Sequence, residues 1–182
     1  MQTPPRQIWT VGHSTRDAEE FLSLLTENKI GALADVRQFP GSRRFPQFNA
    51  ENLKASLARV NIEYFHFPEL GGRRKALENS PNIAWRNAAF RGYADYMASE
   101  NFQKGILRLF ELARKKRTAI MCAEAVWWQC HRSLIADFLK AQGREVIHIL
   151  SAGKTQVHPF TSAAKIVDAK LSYATAEAEF SF

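Results

Sequence analysis

Short runs of β-branched and apolar residues alternate with amphipathic stretches along most of the 182-residue chain, and this alternation restricts the fold more than any other feature. The runs at 8–13 (IWTVGH), 30–37 (IGALADVR), 62–70 (IEYFHFPEL), 117–124 (RTAIMCAE) and 145–150 (EVIHIL) read as strands. After the first, Ser14 or Thr15 is placed to cap a helix with Ala18, Phe21, Leu22 and Leu25 at helical spacing. Prolines and a glycine make QFPGSRRFPQF a loop, after which Asn49 should cap a helix carrying Leu53, Leu57 and Val60 on one face. Helical patterns follow at 85–97, 102–116 and 130–142, the last turning Leu134, Ile135, Phe138 and Leu139 inward before Gly143. Strands alternating with helices predict an α/β fold: a mainly parallel sheet of about five strands flanked by helices in three layers, Rossmann-like. The length suits a single domain, with 151–182 expected as a C-terminal extension packing on it.

No apolar run approaches the roughly 20 residues a membrane span needs, so no membrane partner is expected. The opening MQTPPRQ lacks the apolar segment of a secretory signal, and cytoplasmic localisation is the expectation. Cys122 and Cys130 are the two cysteines, and a chain of this size needs no disulfide staple, which favours reduced thiols while leaving a redox pair open. Lys and Arg number 25 against 18 Asp and Glu, a formal charge of +7 that favours anionic partners. RKKR at 114–117 is set aside from that inference, because cations at a helix C-terminus complement its dipole.

In a parallel sheet, ligands bind outside the carboxyl ends of the strands. Read in order, those ends carry His13 and Ser14; Asp35 and Arg37; Glu69 with Gly71, Gly72, Arg73 and Arg74; then Cys122, Glu124, Cys130, His131 and Arg132. Nearly every chemically capable group is thus predicted on one rim. Arg37, Arg43, Arg44, Arg73, Arg74 and Arg132 can bind phosphate bidentately, and Ser14 and Cys130 are expected at helix N-termini that present free N–H groups to anions. Asp35, Glu69 and Glu124 are the candidate bases, with His13 and His131 as proton carriers. Cys130 is the better thiol nucleophile, since a helix start and the neighbouring His131 and Arg132 would lower its pKa, whereas Cys122 reads as a buried apolar residue. Trp127 and Trp128 would form a lid, a stacking wall or cover for a core edge.

No metal or other cofactor is expected. Cys-x7-Cys-His is not a zinc knuckle, and adjacent Cys130 and His131 on a helix would diverge by about 100°. Neither cysteine has an arginine six residues on, which excludes the Cys-x5-Arg phosphate cradle.

TVGHST, DVRQFPGSRRFPQFN, FPELGGRR, CAEAVWWQCHRSLIADFL and VHPFT, in this order, resemble the bacterial and archaeal family called domain of unknown function 488, over a span from about Ile8 to Tyr173. The resemblance implies that His13, Ser14, Asp35, Arg37, Arg43, Phe48, Asn49, Glu69, Leu70, Gly71, Gly72, Cys122, Glu124, Cys130, His131 and Arg132 stand at motif positions. It adds His158 and Pro159, which periodicity does not place, and it brings no activity with it.

The residues taken together predict a hydrolase or group-transfer enzyme acting on a phosphorylated nucleotide or nucleic acid. Arg37, Arg43, Arg73 and Arg132 would bind phosphate, Glu124 or Asp35 would act as base or nucleophile, and His13 or His131 would carry the proton. Two alternatives stand beside it: a non-catalytic nucleic-acid-binding accessory module that uses the arginine rim and the tryptophans, and thiol chemistry through Cys130.

Overall fold

A computed structural model describes residues 6–175. Its sheet has six strands in the order β3-β2-β4-β1-β5-β6: β1 Gln7–Gly12, β2 Ala32–Asp35, β3 Glu63–His66, β4 Thr118–Cys122, β5 Glu145–Ser151 and β6 Lys154–Val157. The first five are mutually parallel, and β6 closes one edge in antiparallel register with β5. The helices are α1 Ala18–Glu27, α2 Ala50–Ala58, α3 Ala88–Tyr96, α4 Glu100–Lys115 and α5 Arg132–Ala141. The expected single α/β domain with a mainly parallel sheet is what the chain forms. Among the described residues no helix is long and apolar enough to cross a membrane.

Two-residue periodicity divides the core between the faces of the sheet. Trp9, Val11, Leu33, Ala119, Met121, Ile147 and Ile149 pack with α1 and α2, while Ile8, Ala34, Ile120, Cys122 and Val146 pack with α3, α4 and α5. Side-chain caps define several helix starts: Asp17 accepts from the Glu20 N–H, Asn87 from Ala89 and Phe90, and Ser99 from Phe102. Asp17, not Ser14 or Thr15, therefore starts α1; Ser14 adopts a left-handed backbone with φ 53°. Asn49 precedes α2 as expected but turns its side-chain oxygen to the Ser42 N–H. The third strand is shorter than its apolar run, because Pro68 opens a 3-10 turn over Pro68–Leu70.

The extension after β5 supplies β6 and a separate hairpin, β7 Lys165–Val167 with β8 Lys170–Ser172. Ala163 and Tyr173 from this part join the core, and the remainder of the extension, from 176 on, lies outside the described residues.

One consequence of the connectivity positions the site. Adjacent strands β1 and β4 send the chain to opposite faces, β1 into α1 and β4 into α5. A crevice must open between their carboxyl ends, as it does wherever neighbouring parallel strands have crossovers on opposite sides.

Candidate functional site

That crevice is a cleft of about 1000 Å³ whose lining includes His13, Arg37, Arg73, Glu124, Cys130 and His131. The β1–β4 ladder runs past the strand ends, His13 N–H donating to Cys122 C=O at 3.0 Å and Ser14 N–H to Ala123 C=O at 2.9 Å. This backbone pairing draws the first and fourth strand ends together despite more than a hundred residues between them. Gly12 is required at the junction, because a β-carbon there would lie 1.7 Å from the Glu124 carbonyl oxygen and 2.9 Å from Arg132 Nη2.

At the floor of the cleft the sulfurs of Cys122 and Cys130 are 2.9 Å apart. Arg132 Nε–H points between them, at 3.0 Å from Cys122 Sγ and 3.4 Å from Cys130 Sγ, and the Arg132 backbone N–H reaches Cys130 Sγ at 3.4 Å. Nη2 donates to the carbonyls of Glu124 (2.7 Å) and Ala125 (3.4 Å), and Nη1 to Thr10 Oγ1 (3.3 Å). Arg132 is 1% exposed, and no carboxylate among the described residues forms an ion pair with it. A buried guanidinium needs a nearby anion, and the sulfurs are the groups in position to supply one. Burial pushes the Cys130 thiol up, but the Cys122 S–H and the Arg132 guanidinium outweigh it and bring the thiol down to about 6. Cys122 moves the other way, well above the usual thiol range, through burial and through its hydrogen bond to Cys130. The two opposite shifts make Cys130 the thiol that ionises first and Cys122 the one that keeps its proton longer. Cys130 lies ahead of α5, which begins at Arg132, so the guanidinium and a single backbone N–H do what was expected of a helix N-terminus.

Beyond Thr10 a buried chain of hydrogen bonds continues. Thr10 Oγ1 meets His148 Nδ1 at 2.6 Å, His148 Nε2 meets His158 Nδ1 at 2.8 Å, and His158 Nε2 meets Asp137 Oδ1 at 2.9 Å. In the arrangement with both rings neutral, His158 Nε2–H donates to the carboxylate, its Nδ1 accepts from His148 Nε2–H, and His148 Nδ1 accepts from the Thr10 hydroxyl. Thr10 oxygen is left to accept from Arg132. Burial holds His148 well below the ordinary imidazole range, in keeping with a neutral link. Asp137 also accepts from Thr161 and Tyr173. Trp127 stacks on His148 at 4.6 Å with the rings 6° apart, so it is a structural wall; Trp128 beside it is 51% exposed.

The other anticipated groups divide into engaged and free. Asp35 is sealed by Arg37 at Oδ1 (2.9 Å) and Oδ2 (2.6 Å) and by the Tyr64 hydroxyl (2.8 Å), leaving neither carboxylate nor guanidinium free for a ligand. Arg37 also donates to Phe48 C=O and lies 3.3 Å from His13 Nε2. His13 stacks on Phe48 at 4.2 Å with Nδ1 on Ser14 C=O, and burial drives it down to about 4; it is a neutral ring with both nitrogens occupied. His131 is likewise pushed to about 4 by burial, its Nε2–H donating to Val36 C=O at 3.0 Å. Glu69 does not line the cleft and pairs with Arg108 on α4. Arg74 stacks on Tyr96 and donates to Gly71 and Pro68 carbonyls. Arg43 is exposed away from the lining, whereas Arg44 and Arg73, over Phe45 and Phe39, and Glu124 are exposed residues of the lining.

Comparison with protein families matches residues 17–139 to the domain of unknown function DUF488. The chain belongs to that family. No curated protein and no solved structure matches it. The DUF488 match takes in Arg37, Arg73, both cysteines, Arg132 and Asp137, and leaves Thr10, His13, His148 and His158 outside its bounds. His158 had a sequence signal only through its block; Thr10, His148 and Asp137 had none, since each reads as an ordinary member of its strand or helix.

Proposed function

We propose that this DUF488 protein is a hydrolase or group-transfer enzyme acting on a phosphorylated nucleotide or nucleic-acid substrate, with the Cys130 thiolate as nucleophile. One observation carries this: a fully buried guanidinium with no carboxylate partner among the described residues, whose Nε–H lies between the sulfurs of Cys122 and Cys130 at the floor of an open cleft. Burying Arg132 against a neutral thiol would leave its charge uncompensated, at a cost of several kcal/mol. The thiolate is therefore the resting state and is ready to attack. It forms a bond to the electrophilic centre while the leaving group departs with the electrons of the broken bond and takes a proton from solvent; attack by water on the intermediate restores the thiolate. Among the described residues Arg44 and Arg73 at the mouth have no carboxylate partner, and Phe39, 69% exposed beside Arg73, offers a stacking face for a base. Gln38 adds a buried side-chain oxygen with no partner among the described residues, an acceptor for a donor on the ligand.

The test is phosphate release or product formation from ATP and from a 5′-phosphorylated single-stranded oligonucleotide, with and without prior alkylation by iodoacetamide. Turnover abolished by alkylation and in Cys130→Ser, with Arg73→Ala raising KM, is the expected result. Turnover that survives in Cys130→Ser removes the nucleophile, and steeply salt-dependent oligonucleotide binding without any product points instead to an accessory module.

A further inference from the structure

A second activity is written into the sulfur pair, beyond the reaction proposed for the cleft. A nucleophile acting alone needs no second thiol. Yet Cys122 Sγ sits 2.9 Å from Cys130 Sγ and shares the same Nε–H of Arg132. Cys122 is 2% exposed and Cys130 7% exposed, so a small uncharged oxidant entering the cleft meets Cys130 first, and a bulky disulfide is hindered from both. Nothing has to move far for the second sulfur to respond, because the two are already closer than a van der Waals contact between sulfurs.

We propose that Cys130 and Cys122 together reduce hydroperoxides, Cys130 as the attacking sulfur and Cys122 as the one that resolves the product. The Cys130 thiolate attacks the terminal oxygen of hydrogen peroxide; an S–O bond forms, the O–O bond breaks, and the departing hydroxide takes up a proton and leaves as water. Cys130 is then a sulfenic acid. Cys122 loses its proton and attacks the Cys130 sulfur, forming an S–S bond as the S–O bond breaks and a second water leaves. Two electrons pass from the dithiol to the peroxide; one molecule of a low-molecular-weight thiol then opens the disulfide to a mixed disulfide and a second displaces it, leaving the reduced pair and the disulfide of the small thiol.

The oxidised form carries a structural signature. A disulfide has no negative charge, so oxidation strips Arg132 of its counter-ion while the guanidinium stays enclosed by Thr10 and the Glu124 and Ala125 carbonyls. Closing a loop between cysteines 122 and 130 ordinarily stabilises a chain by restricting its unfolded state. Here the lost ion pair opposes that gain, and the oxidised protein is expected to melt below the reduced one.

The experiment is intact-mass analysis and peptide mapping of the full chain after equimolar hydrogen peroxide, with parallel iodoacetamide labelling. The wild type should lose two hydrogen atoms and show a link between the peptides carrying Cys122 and Cys130. Cys122→Ser should accumulate a sulfenic acid at Cys130 that dimedone traps, and Cys130→Ser should give neither product. A wild-type protein that iodoacetamide labels at Cys130 but peroxide leaves unchanged, or one that stops at the sulfenic acid, overturns the dithiol activity and spares the nucleophile. Failure of iodoacetamide to label Cys130 at neutral pH overturns both. Because the wild-type mass decides the question, the outcome does not depend on either variant folding.

Discussion

Replacing Arg132 with Met isolates the effect that holds Cys130 ionised. The guanidinium contributes its charge and the Nε–H at 3.4 Å; the Cys122 S–H, the backbone N–H at 3.4 Å and the burial that pushes the thiol up all survive the substitution. The Cys130 midpoint should therefore climb from about 6 in the wild type towards the ordinary thiol value near 8.5, which bounds the effect where burial offsets the Cys122 hydrogen bond. At pH 7 the ionised fraction drops from roughly nine-tenths to about 3% on that shift, close to a 30-fold loss. A more basic thiolate is also more nucleophilic, and over about 2.5 pKa units that returns roughly tenfold. The alkylation rate at pH 7 changes by only a few-fold as a result, so a single rate measurement is a poor test. The full iodoacetamide profile from pH 5 to 10 is the assay: the midpoint should move up by about one to two units and the alkaline plateau should rise. Met also leaves the Thr10 hydroxyl and two carbonyls without their donor, each worth about 1–3 kcal/mol if it stays dry, so circular dichroism must accompany the profile. Arg132→Lys, which retains a charge without the planar fork, should fall between the two. A wild-type midpoint near 8.5, or one unmoved in a folded Arg132→Met, refutes the assignment of the sulfur as counter-ion.

Arg37→Leu should destabilise the fold by about 3–5 kcal/mol in urea titration, because it strands the fully buried Asp35 carboxylate; a loss under about 1 kcal/mol would mean the pair is not structural. Glu69→Gln should leave turnover unchanged and stability within about 1 kcal/mol, its partner Arg108 being exposed to solvent. Acid should unfold the protein through its histidines. His13 and His131 are lowered to about 4 and His148 is lowered too, each by burial, so the unfolded chain binds protons near pH 6.5 that the folded one refuses. Their contribution is whole above pH 6.5 and is lost as pH falls towards 4. The Cys130 thiolate acts in the same direction, with its contribution lost as pH falls from about 9 to 6. The urea midpoint should consequently rise from pH 5 to pH 7; a flat or falling curve would contradict it.

The parallel sheet and the gathering of reactive groups along its carboxyl edge were legible because both follow from local periodicity and from the direction of the strands. The pairing of those groups was not. Asp35 and Arg37 sit two residues apart, a spacing that leaves a strand end free to expose or to pair them; the Tyr64 hydroxyl and Phe48 carbonyl that seal them come from other segments. Ser14 has the chemistry of a helix cap, but its left-handed backbone and its N–H bond to Ala123 hold it out of the helix, and Asp17 takes the role. The chain from Arg132 to Asp137 was invisible for a simple reason. His148 and Thr10 point inward from strands buried on both faces, where a polar residue in an apolar run carries no mark of its distant partner. The expectation of free phosphate-binding arginines narrowed for the same cause: residue type shows what a guanidinium can bind, and only the fold shows whether its donors are already taken.

The narrowing sharpens what Arg132 can do in catalysis. In the reaction proposed above, the Cys130 thiolate would match the Arg132 charge before attack, leaving it little to offer an arriving anion. Once the sulfur enters a covalent bond, that match disappears while Thr10, His148, His158 and Asp137 continue to hold the guanidinium in place. Negative charge developing on a group attacked by Cys130 would then face a fixed cation whose Nε lies 3.4 Å from the attacking sulfur, in surroundings where water screens it poorly. The interaction grows along the reaction and is weak before it, which is the condition for lowering a barrier instead of tightening ground-state binding. A lysine in that place could not do the same, because its single ammonium group would follow the moving charge, whereas the hydrogen-bonded fork of Arg132 is held by Thr10 and two carbonyls whatever happens at the sulfur.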